Sequence, residues 1–291
     1  MNADKKKIII RIIIFVILAY APMIAIGIMY DFDGRLTGEH SRLYTLCATL
    51  AGFTPMAANF LTRLITREGF SETYLRANFR GNMKYYLFGI AYAVLGSLLS
   101  TILLIILYCP DYSLSDIDLG TGPAAVFLLT LALDIETFWI NFGEEFGWRA
   151  YLNPKLEKLM PEPLALIVGG IIWGLWHAPL TVHGHNFGLG YRGFPFTGFA
   201  AMSLSCIFVG SFLTWLTKKT GSVYPASICH ACINGMVIPA LMIPNYAEIC
   251  EEHGFGTGAA LLGINALLGV GAFIALCRKK KSSENEIKAA A

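Results

Sequence analysis

Charge is scarce in this sequence. Asp, Glu, Lys and Arg make up 14% of its 291 residues, where soluble domains carry roughly a quarter. Hydrophobic residues reach 55% and the mean hydropathy is +0.57, which excludes an ordinary soluble domain. The basic residues sit at the ends of apolar segments and form no stripe, so no nucleic acid is expected as a partner. A signal-peptide cleavage site is missing too. Lys5, Lys6 and Lys7 lead into apolar Ile8–Tyr30, which is about membrane length and reads as an uncleaved first helix. Cysteine is no framework: the seven residues are odd in number and most lie in apolar segments, as buried thiols do. A disulfide between Cys109 and Cys250, in loops on one side, is left open. Cys229-His230-Ala231-Cys232 has no second pair to complete a four-ligand zinc site and reads as packing. There is no His-Glu-x-x-His zinc motif.

What the chain does have is long apolar stretches. Eight are near spanning length: Ile8–Tyr30, Leu43–Leu61, Tyr85–Tyr108, Gly122–Leu152, Leu164–Leu180, Thr197–Leu216, Val223–Ile243 and Gly256–Cys277. Hydrocarbon forbids unpaired backbone groups, so helices are expected; the short alternating strands of a barrel are not seen. The fold class that follows is an all-α membrane protein, a bundle of about eight transmembrane helices forming one polytopic domain over residues 1–291. Alternate connections carry Lys5–Lys7, then Arg63 to Lys84, Lys155 and Lys158, Lys218 and Lys219, and Arg278–Lys281. The others carry Asp31, Asp33, Asp111, Asp116, Asp118, Glu248, Glu251 and Glu252. The positive-inside rule then places both termini in the cytoplasm. Between the second and third spans, Phe70, Tyr74, Leu75 and Phe79 alternate with charges at helical spacing, so Thr66–Lys84 reads as an interfacial amphipathic helix on the cytoplasmic leaflet, with a solvated loop as the other reading.

Ionisable groups at membrane depth are costly and point to function. They concentrate in Asn141-Phe142-Gly143-Glu144-Glu145-Phe146-Gly147-Trp148-Arg149. Adjacent residues on a helix point about 100° apart, so Glu144 and Glu145 cannot share one cavity. Glu145 and Arg149 stand four apart in the favourable acid-first order, which leaves Glu144 free to face elsewhere. Gly143 and Gly147 form a small-residue step that lets another helix approach. Taken alone, the three charges would serve equally as the polar cap where the span meets water. Trp173 and His177 share a face of the fifth span, and His230 and Asn234 a face of the seventh; alone, each would serve as a packing or helix-gluing pair. His183-Gly184-His185 could bind a metal or simply sit in a loop, and the loop is the favoured reading. At 1.5 Å per residue, Glu144 lies about 12–14 Å from a helix end expected at Asn153–Pro154, and His230 and Asn234 lie at about 12 and 18 Å. His177, at roughly 18–21 Å, fits least well.

Glu144-Glu145-x-x-x-Arg149, Trp173-x-x-x-His177 and His230-x-x-x-Asn234 resemble, in order and in separate spans, the three motifs of the CPBP family. That family comprises CAAX proteases of the type II CAAX prenyl endopeptidase kind, together with bacteriocin-processing and self-immunity proteins. Trp173 stands where the family usually has phenylalanine. The resemblance covers about residues 122–243 and implies that they form a catalytic core. It implies an intramembrane glutamic endopeptidase, metalloprotease-like in task but using no metal and no other cofactor, that cuts a peptide bond. The depth count places the cut near the cytoplasmic face. The Ile-rich basic N-terminus and compact loops read as prokaryotic, which makes the membrane a cell membrane, with the endoplasmic reticulum as the other reading. Carried over by position, Glu144 with His177 would activate water, and His230 and Asn234 would stabilise the oxyanion. Glu145, Arg149 and Trp173 would support them. The implied partners are membrane lipid and a peptide or lipidated protein C-terminus; no oligomeric state is implied. The competing readings are a non-catalytic immunity or scaffold protein and a small-solute transporter. The broken, repeated segments typical of carriers are not apparent.

Overall fold

Helix accounts for the regular structure of the described residues, which in the computed structural model are 3–37, 46–47, 49–113, 122–235 and 238–289. In chain order these give α1 (Ala3–Thr37), a 3-10 turn (Ala51–Phe53), α2 (Thr54–Ile65), α3 (Met83–Tyr108) and α4 (Gly122–Gly147). A π-helical segment (Trp148–Leu152) joins α4 to α5 (Asn153–Glu157), and α6 (Glu162–Trp176) and α7 (Ala178–Thr181) follow. The chain continues as α8 (Phe196–Thr220), α9 (Tyr224–Gly235), α10 (Ile238–Met242), α11 (Tyr246–Glu252) and α12 (Gly254–Ala289). Among the described residues, five stretches are long and apolar enough to cross a membrane: Ala3–Asp31, Met83–Tyr108, Phe196–Thr220, Tyr224–Met242 and Gly254–Arg278. The chain is an all-α, multi-pass membrane protein.

Two of the eight expected spans take another form, and Gly122–Leu152 is one continuous helical run. Leu43–Leu61 begins outside the described residues and continues as the 3-10 turn and the 12-residue α2. Gly122–Leu152 holds the 26-residue α4, which carries Asp134, Glu136, Glu144 and Glu145. Leu164–Leu180 is broken at His177, because α6 stops after 15 residues and α7 starts separately. Pro179 has no N–H to continue the ladder there. The acidic residues Asp116 and Asp118 lie outside the described residues. Cys109 and Cys250 form no disulfide.

Pro154 does not end its helix, contrary to expectation. The Asn153 amide bonds to the Trp148 carbonyl, five residues back. Proline normally clashes with the carbonyl four residues earlier; one wider turn relieves this and lets α5 continue. All five π-segment residues are buried.

The expected interfacial helix at Thr66–Lys84 is also absent; residues 66–82 form an irregular loop that leads into α3. Arg67, Gly69, Glu72, Tyr74, Asn78 and Gly81 all take positive φ, which no helix tolerates. Tertiary contacts satisfy the backbone instead of a helical ladder. Arg63 donates to the carbonyls of Gly69 and Ser71, Val223 N–H donates to the Tyr74 carbonyl, and Asn78 Nδ2 donates to the Thr220 carbonyl. The apolar residues pack at irregular positions, Phe70 on Phe60 and Phe79 on Tyr86.

Around the site, α8 packs against α6 and α12, and α9 packs between α3 and α4. α4 is held by α2 and by the turn before it. The glycine step works there: a Cβ on Gly143 would lie 2.8 Å from the Gly52 carbonyl oxygen, and one on Gly147 would lie 2.3 Å from Pro55 Cβ. This contact brings α4 against the 3-10 turn and the start of α2.

Candidate active site

Glu144, Trp173, His177, His230 and Asn234 line one cavity of about 380 Å³, to which α4, α6, α8, α9 and α12 all contribute. The neighbours Glu144 and Glu145 part as their 100° offset requires. Glu144 faces the cavity and is 6% exposed, whereas Glu145 is fully buried behind it.

Glu144 Oε2 accepts a 2.8 Å hydrogen bond from Trp173 Nε1. A phenylalanine could not make this bond. The same indole lies under Arg149, whose guanidinium carbon is 4.1 Å from the ring centroid. Arg149 Nε is 3.0 Å from Glu145 Oε2, with both side chains buried, and Glu145 Oε1 lies 2.9 Å from His230 Nδ1. One carboxylate therefore joins the arginine of its own helix to the imidazole of α9. A carboxylate can only accept, so His230 carries a hydrogen on Nδ1 and offers the cavity Nε2, which donates only when the ring holds two protons.

His177 is the residue that ends α6, and its Nδ1 lies 3.0 Å from the Trp173 carbonyl oxygen. That carbonyl places the hydrogen on Nδ1 and leaves the Nε2 lone pair. His177 lines the cavity in spite of its poorer depth match, and the helix can break there because irregular backbone is tolerated where it lines a cavity.

Two contributing residues escaped the sequence reasoning. His185, from the segment after α7, lines the cavity and stacks in parallel with His177 at 6.2 Å between centroids. Nothing in its loop position signals this. Asn141 is buried behind the cavity and accepts a 2.8 Å hydrogen bond from Asn234 Nδ2. Its signal was available: it precedes Glu144 and Glu145 by three and four residues in an apolar span. The other loop histidine, His183, is turned to α1, where Nε2 meets the Gly27 carbonyl and the ring stacks on Tyr30. Cys229 and Cys232 are buried in the packing of α9. Among the described residues, no three His, Cys, Asp or Glu side chains converge to hold a metal ion.

A family model falls on the segment that carries most of this cavity, and one curated relative is similar over part of the chain. The model of the family "Type II CAAX prenyl endopeptidase Rce1-like" matches residues 123–236. CAAX prenyl protease 2 of Methanococcus maripaludis is 34% identical over 112 residues. Those residues are 38% of this chain and 38% of that relative, so the chain spans well under half the length of the curated protein it matches. The similarity to the Rce1-like CAAX protease family thus rests on residues 123–236, under half of the chain, which hold Glu144, Trp173, His177 and His230 together with Asn234.

Proposed function

We propose that the protein is an intramembrane peptidase that hydrolyses a peptide bond with Glu144 as general base and no metal. The observation that carries this is a buried carboxylate facing a cavity that it shares with two imidazoles and a carboxamide from other helices. Glu144 and the Nε2 lone pair of His177 hold a water. Glu144 takes a proton as the oxygen attacks the scissile carbonyl carbon, then returns that proton to the leaving nitrogen as the C–N bond breaks. Asn234 can donate to the oxyanion whatever the protonation of the site, and His230 Nε2 adds a second donor when its ring is charged.

The substrate is a membrane-associated peptide, of which a lipidated CAAX-type C-terminus is one form. An apolar groove between α8 and α12, lined by Leu204, Phe208, Gly263 and Leu267, shares Ser205 and Leu262 with the cavity. Its position suits a substrate that brings its own hydrocarbon. The site lies near the cytoplasmic face of a cell membrane, with both termini cytoplasmic, as the loop charges support.

Glu144→Gln tests this. The amide keeps the shape and can still accept from Trp173 but cannot take the water's proton. Cleavage of an internally quenched, farnesylated CAAX peptide should fall by at least ~10²-fold, at the low end of general-base contributions, with the melting temperature retained. Undiminished cleavage by Glu144→Gln would overturn the assignment.

A further inference from the structure

The carboxamide of Asn234 is held from behind by a relay that starts at a backbone carbonyl. Asn141 Nδ2 donates to the Thr137 carbonyl at 2.8 Å, and Asn234 Nδ2 donates to Asn141 Oδ1 at 2.8 Å. The two ends of an amide side chain are alike in shape, so its orientation follows from its partners. Here they leave one solution. A carbonyl only accepts, so Asn141 must turn its NH2 to Thr137 and its oxygen to Asn234. That oxygen also only accepts, so Asn234 must turn its NH2 toward Asn141. One hydrogen of that NH2 is engaged, and the other remains for the cavity that Asn234 lines. Asn141 itself is 1% exposed and does not line the cavity.

We propose that Asn141 is a positioning residue: through Asn234 it fixes a cavity-facing N–H donor against rotation and against the flip that would present an oxygen to the oxyanion. This deepens the peptidase assignment and rests on it. Without Asn141, the carboxamide of Asn234 is free to turn its Oδ1 toward the developing negative charge, where it repels. The effect therefore falls on the transition state and not on substrate binding.

The test uses the full chain in proteoliposomes and the farnesylated, internally quenched CAAX peptide. Asn141→Ala should lower kcat by ~10-fold or more, short of the 10²–10³-fold typical of deleting an oxyanion donor, with KM unchanged. In an Asn234→Ala background the same substitution should change kcat by no more than about twofold, since the group it positions is gone. A merely structural asparagine would lower activity by the same factor in both backgrounds. Asn141→Ser provides a second variant in case alanine fails to fold. Its hydroxyl can bond back to the Thr137 carbonyl but is too short to reach Asn234, and its kcat should fall as far. Peptide left intact by the wild type, or cut by Glu144→Gln, sinks the peptidase assignment and this inference with it. Wild-type cleavage lost in Glu144→Gln, together with wild-type kcat in Asn141→Ser, overturns the inference alone.

Discussion

Removing Arg149 while keeping Glu145 should be among the most damaging single changes in the protein. The pair lies 3.0 Å apart, with side-chain exposures of 2% and 0%. At an effective dielectric constant of about 20, the attraction at that distance is roughly 5–6 kcal/mol. The desolvation of two ions, several kcal/mol each, offsets most or all of it. The intact pair is thus near neutral for stability, but breaking it is not. Arg149→Leu leaves a buried carboxylate with His230 as its remaining partner and loses the contact over Trp173; such half-removals cost ~3–5 kcal/mol. Glu145→Gln/Arg149→Leu removes both charges, and the amide oxygen can still accept from His230. The double variant should recover to within ~1–2 kcal/mol of wild type. Unfolding by sodium dodecyl sulfate in mixed micelles measures all three proteins. A loss below 1 kcal/mol in Arg149→Leu, or a double variant no more stable than that single one, would refute the reasoning.

Three further outcomes are expected. Trp173→Phe keeps an aromatic face for Arg149 but deletes the N–H donor that aims the Glu144 carboxylate; a base free to turn away from the water should give a ~10-fold lower kcat at constant KM, short of the ~10²-fold of a 1 Å misplacement, and an unaltered kcat would show that the indole only packs. Gly263→Leu should raise KM for a farnesylated peptide without affecting kcat, because a Cβ at Gly263 meets nothing within 4 Å and the side chain extends into the α8–α12 groove. Gly271→Leu, equally unobstructed but in a groove that does not touch the cavity, is the control, and equal KM changes in the two would dissociate the groove from substrate. At the basic end of the bundle, burial pushes the Glu68 carboxyl up, but hydrogen bonds from Lys155 and Tyr151 and the charges of Lys155 and Arg11 outweigh it and hold the group below its ordinary 4.5. Its stabilisation is therefore complete above that value and disappears as pH falls through the lower folded-state value. Lys155→Met should shift this loss to higher pH in thermal melts, and a pH profile parallel to wild type would count against the linkage.

Local rules made part of this molecule legible in its sequence. The 100° step between neighbours was enough to separate Glu144 from Glu145, and the i,i+4 rule paired Glu145 with Arg149. The link from His230 to Glu145 joins residues 85 apart, and no local rule reaches that far. His185 arrives over His177 by a loop path that sequence spacing does not encode. The loop 66–82 misled because its apolar spacing imitates an amphipathic face, while its punctuation, Gly69, Asn78 and Gly81, specifies left-handed turns. The short span ending at His177 shows the opposite. Its length was overestimated because hydropathy counts Ala178–Leu180 as a continuation and gives Pro179 no weight.

The wide turn at Trp148–Leu152 sets the azimuth of everything after it. One residue deleted there would let the coil tighten to 3.6 residues per turn and swing the following segment by about 100°. Asn153 would leave Thr214, and Lys155 would leave Glu68. The upstream half of the helix, clamped by its glycines against the start of α2, could not rotate to compensate. An added residue in this helix thus aligns two ends with separate tasks, one presenting Glu144 to the cavity and the other anchoring the bundle at its charged rim.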